Sequence, residues 1–176
     1  MKYDYLKENY SDLITDIKAI CAQIGKNYDD IKLVAISKTF PPEEILEVHK
    51  IGHIDFGENK VQELKIKYDE LKSEGINWHL VGHLQTNKVK HIIDFVHLIH
   101  SVDSFKLARE IDKLAKKAGK TVNILVQVNT SDEMQKSGAE PGEVKNLCKE
   151  ISSLENVRMN GLMTIGMFTD LENIIR

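Results

Sequence analysis

A lysine ends an apolar run of residues, and the reactivity of its amine depends on how far the amine is buried away from water. Lys38 follows Leu33-Val34-Ala35-Ile36-Ser37, and Phe40-Pro41-Pro42 breaks the run. Side chains alternate between the two faces of a strand, so Lys38 shares a face with Ile36 and Val34. Burial disfavours an ammonium, and a neutral amine condenses with aldehydes or ketones. Considered alone, Lys38 is better explained as a lysine whose charged end reaches solvent over an apolar stem.

Other polar side chains stand where predicted strands end. Asn59 lies two residues after Gly57, which permits close backbone approach, so its amide can meet a polar atom of a ligand. Lys136 lies in the polar loop 130–140 on the same rim. Simple exposure to solvent explains a lysine at this position slightly better than a direct role in the site does. Helix capping explains another group of polar residues better than ligand binding does: Asn87, Ser104 and Ser131.

Two histidines have the four-residue spacing of zinc ligands on a helix, but His79 and His83 lie on or beside a predicted strand. Four strand residues span about 13 Å, too far for two Zn–N bonds of about 2.0–2.1 Å. We therefore expect no metal site from this pair, and we expect the remaining histidines to pack at the surface or half-buried. The sequence contains no Ser/His/Asp set, dinucleotide fingerprint or phosphate loop.

Composition predicts one globular domain over residues 1–176. The chain is 41% hydrophobic and 29% charged, with a net charge of −3, which gives no general attraction for nucleic acid or a membrane surface. Cys21 and Cys148 both fall at apolar positions of predicted helices, as buried thiols of a reducing compartment do. We find neither a signal peptide nor a membrane-spanning run, so the expected location is the cytoplasm.

The predicted elements alternate regularly after an opening helix from Leu6 to Ile24 that Gly25 ends. The six predicted strands cover 33–39, 53–57, 77–81, 96–102, 122–128 and 157–165. The six predicted helices follow them at about 41–49, 60–72, 87–95, 105–118, 141–154 and 170–176. Such alternation predicts a parallel sheet with right-handed crossovers, either as a doubly wound layer or as a closed barrel. The pattern by itself leaves both open.

Six segments in this order resemble the pyridoxal phosphate homeostasis protein family, whose barrel is similar to the N-terminal domain of alanine racemase. They are VAISKT, FGENKVQE, WHLVGHLQTNK, HSVDS, VNTSDEMQKSG and GLMTIG, within about 33–169. The resemblance implies a (β/α)8 TIM-type barrel in which Lys38 holds pyridoxal 5′-phosphate as an internal aldimine, without established turnover. It also implies that Asn59 and Met163 line the pocket and that Lys136 has a secondary role in handling the cofactor.

The chain departs from this family in length. A complete barrel has eight strands and typically about 250 residues, and its phosphate site commonly lies after strands 7 and 8. Here only about six strand–helix units precede Arg176, and the family's Ser-Met-Gly-Met-Ser type loop and Arg-Ile-Gly stretch have no counterpart. We expect a C-terminally truncated product or a fragment, a monomer or weak dimer, that binds the cofactor through Lys38 but holds it weakly.

Three functions follow as hypotheses. The first is a non-catalytic carrier that limits free pyridoxal phosphate and passes it to apoenzymes. The second is an amino-acid racemase of fold-type III, which needs a second acid/base group that the sequence does not identify. The third is a protein-interaction module in which Lys38 is only structural.

Overall fold

The computed structural model describes residues 3–131 and 137–166. Its centre is one sheet of six parallel strands, each paired with the next along the chain. The strands are β1 Ala35–Ile36, β2 Asp55–Glu58, β3 Asn77–Leu80, β4 Leu98–Val102, β5 Val122–Gln127 and β6 Val157–Met163. A doubly wound sheet reverses its strand order, whereas a barrel keeps the chain order throughout. The predicted partial barrel is therefore confirmed.

The helices lie between these strands, with one additional helix before the sheet. They are α1 Asp4–Gln23, α2 Pro42–Lys50, α3 Val61–Leu71, α4 Phe105–Lys117 and α5 Val144–Ile151. Two short 3₁₀ helices cover Tyr28–Asp30 and Thr86–His91. The predicted N-terminal helix is thus present as α1. The helix predicted over 170–176 falls outside the described residues.

Two predicted elements differ from the structure. The strand expected over 33–39 pairs only at Ala35–Ile36, because β1 has a neighbour on one side and the chain turns at Lys38. The helix expected over 87–95 is instead the 3₁₀ helix Thr86–His91. Tighter i→i+3 turns suit this short, β-branched segment between β3 and β4, and they still bury Val89.

The predicted helix caps are only partly present. Ser104 has the extended backbone of an N-cap before α4, but its side chain makes no capping hydrogen bond to that helix. Asn87 lies inside a 3₁₀ helix whose N-cap is Gln85. Ser131 bonds to the side-chain oxygen of Asn129 through its N–H and its hydroxyl, which is a local turn contact. Capping therefore does not explain Asn87 or Ser104.

The hydrophobic core lies between the sheet and its helices. Helix α4 buries the face predicted from its spacing, including Ala108, Ile111 and Ala115. The large, fully buried side chains that fill this layer include Phe56, Leu64, Trp78, Leu80, Ile99, Leu107, Ile124 and Ile151. Cys21 is buried as predicted, Cys148 is half-buried, and both are free thiols. The opposite, concave face of the sheet carries the polar side chains of Asp55 and His79, which alternate along β2 and β3 with the core residues Phe56 and Trp78.

None of the helices in the described ranges is long and apolar enough to cross a bilayer.

Candidate functional site

Lys38 lies in a turn at the carboxyl end of β1. Its neighbours Ile36 and Val34 face the concave side of the sheet, since a Cβ placed on Gly57 would lie 2.8 Å and 3.3 Å from their side chains. Lys38 is exposed, and Ile36 is 43% exposed. The explanation preferred for Lys38 alone, a lysine whose charged end reaches solvent, therefore agrees with this structure, in which the described residues leave the concave face beside β1 uncovered. Its Nζ has no hydrogen-bond or ionic partner within residues 3–131 and 137–166.

Asn59 follows β2, the strand that pairs with β1, and is half-buried. Its main chain lies against Gly82 at the end of β3, where a Cβ on Gly82 would come within 2.1 Å of the Asn59 carbonyl oxygen. Only glycine allows this approach. The loops after β2 and β3 are therefore in direct contact. Because Asn59 comes directly after β2, it lies on the same rim as Lys38, at the end of the neighbouring strand.

Met163 is the last residue of β6, at the far edge of the sheet from β1. It is half-buried, and its carbonyl accepts a hydrogen bond from the Val128 N–H at 2.9 Å. Thr164 continues this link, with its hydroxyl 3.0 Å from the Val128 carbonyl and 2.6 Å from the Thr130 hydroxyl. A cleft on this part of the rim is lined by Val81, Gly82, His83, Gln127, Val128, Asn129, Ser137 and Ile165.

The structure thus brings three candidate residues, Lys38, Asn59 and Met163, to the carboxyl ends of β1, β2 and β6. The fourth, Lys136, lies outside the described residues. Since parallel strands end on a common rim, this placement follows from the architecture rather than from direct contact between the three side chains.

A buried ion pair between Glu58 and Lys67 lies immediately behind the turn that carries Lys38. This pair was not predicted from the sequence. One signal was present: Lys67 falls on the apolar stripe of α3, three residues after Leu64 and four before Leu71. A lysine on the buried face of a helix requires a partner, but nothing local identifies which acid supplies it.

A second polar group missed by the sequence analysis is a chain of hydrogen bonds through His79. The His79 Nε2 lies 3.0 Å from Asp55 Oδ1, and its Nδ1 lies 2.8 Å from His100 Nε2. With Asp55 ionised, His79 Nε2–H donates to it, and His79 Nδ1 accepts from His100 Nε2–H. The prediction that His100 only packs is therefore wrong, since it is the outer member of this chain.

Burial and partners shift the pKa values of this chain. Burial lowers the pKa of His79 against the opposing effect of Asp55. Burial, with a smaller contribution from His79, lowers the pKa of His100 to about 4. Burial raises the pKa of Asp55, but hydrogen bonds from His79, Asn77 and Lys32 outweigh it and leave the pKa below its usual value. Both imidazoles are therefore neutral at pH 7.

Donor atoms of Asp55, His79 and His97 lie within 4.8 Å of one another, a spacing that suits a divalent cation. However, the Asp55 carboxylate already accepts hydrogen bonds from Lys32, Asn77 and His79 at 3.0–3.2 Å. A cation would have to displace the His79 proton from this set. We therefore describe the group as a hydrogen-bonded chain.

His83 has a different environment from His79. It is exposed, and its Nδ1 lies 3.6 Å from the Asp103 carboxylate, on the rim beyond β3 and β4. His79 is fully buried and bonded within the concave face. The two histidines singled out by their spacing thus belong to separate environments.

Comparison with known sequences gives a consistent result. The sequence profile of the alanine racemase N-terminal domain matches residues 15–173. The pyridoxal phosphate homeostasis protein of Aquifex aeolicus is 42% identical over 166 residues, which are 94% of this chain and 72% of that protein.

Two solved structures are similar to this one. A protein from Bifidobacterium adolescentis described as unknown has a TM-score of 0.87 at 33% identity, over 94% of this chain and 71% of that one. PipY of Synechococcus elongatus, solved with pyridoxal phosphate (PLP) bound, has a TM-score of 0.74 at 30% identity, over 87% of this chain and 71% of PipY.

Proposed function

Since this chain belongs to the alanine racemase N-terminal domain family, and within it to the pyridoxal phosphate homeostasis proteins, we propose that it binds pyridoxal 5′-phosphate through Lys38. The observation that carries this proposal is the placement of an exposed primary amine at the carboxyl-end rim of the barrel. Ligand sites of such barrels lie on that rim. The PipY structure with PLP bound supports the same ligand.

The residues present fit this ligand. If bound here, pyridoxal phosphate would supply an aldehyde, with which a neutral amine could condense as one water leaves. Lys38 supplies the amine, and its exposure lets an aldehyde reach it. Asn59, fixed against Gly82, offers an amide that can bind a polar atom of the ligand. Met163 contributes an apolar side chain at the β6 end of the rim, and Lys136 remains the candidate for a secondary role.

For the cellular role, we propose a carrier that takes up pyridoxal phosphate, limits the free aldehyde and passes it to apoenzymes. The name of the relatives, homeostasis proteins, supports this role. The alternative is a racemase, which the alanine racemase profile favours. An alanine racemisation assay separates them, since a carrier gives no turnover and a racemase does.

Replacing Lys38 tests the proposal directly. The protein is titrated with pyridoxal phosphate, reduced with borohydride and mapped by peptide mass spectrometry. We expect saturable labelling of Lys38. In Lys38→Ala, the visible absorbance band should be at least about tenfold weaker, because the amine that condenses with the aldehyde is gone. The matched control is Lys26→Ala, which removes another exposed lysine, located before β1.

Equal labelling of Lys26 and Lys38 would show indiscriminate reaction of surface amines and would refute the assignment. Retained absorbance in Lys38→Ala with the label on Lys136 would transfer the role to that residue. Absence of any adduct would favour the protein-interaction alternative.

A further inference from the structure

A closed triangle of hydrogen bonds lies behind Lys38, on the helix-facing side of β1 and β2. The Lys67 Nζ lies 2.5 Å from Glu58 Oε1, and the two side chains are 8% and 0% exposed. The same Nζ donates to the Ser37 carbonyl at 2.7 Å. The Ser37 hydroxyl donates to Glu58 Oε1 at 2.8 Å and completes the triangle. Helix α3, strand β2 and the residue before Lys38 are therefore joined at one point.

Stability alone does not account for this pair. Removing two charges from water costs several kcal/mol for each, and apolar side chains of similar volume often replace such a pair at no loss. The second carboxylate oxygen, Glu58 Oε2, is buried and has no hydrogen-bond partner among the described residues. An apolar pair would leave no such oxygen without a partner, so stability gives no reason for an ion pair at this position.

The geometry of the turn supplies that reason. Every polar group of Ser37 is engaged: its N–H donates to the Gly57 carbonyl at 2.9 Å, and its carbonyl also accepts from the Phe40 N–H at 3.1 Å. Thr39, directly after Lys38, has a positive φ of 70°. A β-branched residue is strained there and keeps this conformation only when its surroundings hold it.

Helix α3 also contacts the turn on the other side of Lys38. Thr39 and Phe40 line one surface pocket together with Glu63 and Lys67 of α3. Glu63 and Lys67 lie one helical turn apart on α3. Ser37 is thus bonded to α3, and Thr39 lies beside the same helix on the other side of Lys38.

We propose that Glu58 and Lys67 are positioning residues that hold the Ser37–Thr39 turn so that the Lys38 amine meets the aldehyde at the rim. This inference rests on the proposed function of Lys38 and adds the residues that prepare it. Lys67 itself is not the reacting amine, because it is buried between α3 and the sheet and already donates to two oxygens.

The test removes the pair without leaving a lone buried charge. In the double variant Glu58→Met/Lys67→Met, the rate of borohydride-trapped adduct on Lys38 is measured against pyridoxal phosphate concentration. We expect the maximal rate to fall by at least about tenfold, because a misplaced group loses much of its proximity advantage. We expect thermal stability to be no lower than in the wild type. The control is Lys65→Met/Asp69→Met, which removes an exposed ion pair of the same helix.

The outcomes separate the two proposals. Adduct on wild-type Lys38 with an unchanged maximal rate in the double variant overturns the positioning role and leaves the ligand assignment standing. No adduct on wild-type Lys38 overturns both. If the double variant does not fold, Glu58→Gln, which keeps the side-chain shape, is measured instead. A wild-type maximal rate in Glu58→Gln, together with unchanged exchange of the Phe40 amide proton, would overturn the inference.

Discussion

At the scale of single residues, the charge state of His100 couples the concave face to pH. His100 is half-buried and neutral at pH 7, and it donates to His79, which in turn donates to Asp55. Protonating either imidazole places a cation in a site that also contains Lys32 beside Asp55. In the folded protein, burial therefore lowers the pKa of both histidines.

These lowered pKa values predict that the folded protein becomes less stable in acid. The folded pKa of His100 is about 4, below the reference value of 6.5, so the unfolded chain binds more protons between these values. We expect the free energy of unfolding to fall as the pH falls from about 6.5 to about 4. His79 contributes with the same sign, whereas the contribution of Asp55 is lost only below its reference pKa of 3.8.

The variant His100→Gln tests the assignment, because glutamine can still donate to His79 but does not titrate. Urea unfolding curves across this pH range should become less steeply pH-dependent than in the wild type. His91→Gln, which removes an exposed histidine, should leave the dependence as it was. Equal steepness in wild type and His100→Gln would contradict the proposed source of the acid sensitivity.

At the scale of elements, the contact between the β2 and β3 loops fixes the rim. Gly82 and Asn59 meet backbone to backbone, and a methyl group at Gly82 would overlap the Asn59 carbonyl. Main-chain atoms cannot move aside as the end of a flexible side chain can. The position of Asn59 therefore depends on a residue that makes no side-chain contact of its own.

We expect Gly82→Ala to lower the free energy of unfolding by about 1–3 kcal/mol, as other overpacking substitutions do. It should also weaken pyridoxal phosphate binding by displacing Asn59. Gly142→Ala is the control, because no atom lies within 4 Å of its added Cβ and its φ is not positive. Chemical denaturation and ligand titration of both variants measure these two effects. A Gly82→Ala protein as stable as Gly142→Ala would show that the close contact between Gly82 and Asn59 does not constrain the fold.

At the scale of the whole molecule, the sheet has two edge strands. Within the described ranges, β1 pairs only with β2, and β6 pairs only with β5. Apolar side chains are exposed at both edges, with Ile36 at 43% and Leu162 at 58%. Unpaired edges with exposed apolar groups favour association with another sheet.

We therefore expect concentration-dependent self-association in sedimentation velocity experiments. Leu162→Lys should raise the dissociation constant at least about tenfold, since burying one leucine contributes about 1.5–3 kcal/mol. Ile66→Lys is the matched control: Ile66 is also 58% exposed but lies on α3, the helix that follows β2, and not on β6. A wild type that stays monomeric at all concentrations, or equal effects of the two variants, would show that β6 is not the contact.

Much of the fold and part of the site were predictable from the sequence. Helix α4 and strand β5 were predicted nearly residue by residue, because their periodicities depend only on neighbours a few positions away. Lys38 was identified as a candidate by its type and its place after an apolar run. The sequence favoured a solvent-exposed Lys38 but left a buried one open, since exposure depends on what covers the concave face.

Other features were decided by the tertiary structure. Strand order selected a barrel over a doubly wound sheet. Crossovers brought Lys67 to Glu58 and to Ser37, 30 residues earlier, and they paired His79 with His100, 21 residues later, rather than with His83. Local propensity and periodicity act over a few residues, so the sequence by itself determined the kinds and succession of elements and supplied a reactive amine. The pairing of the buried charges behind that amine depends on how elements distant in sequence pack together. Only the tertiary structure therefore determines it.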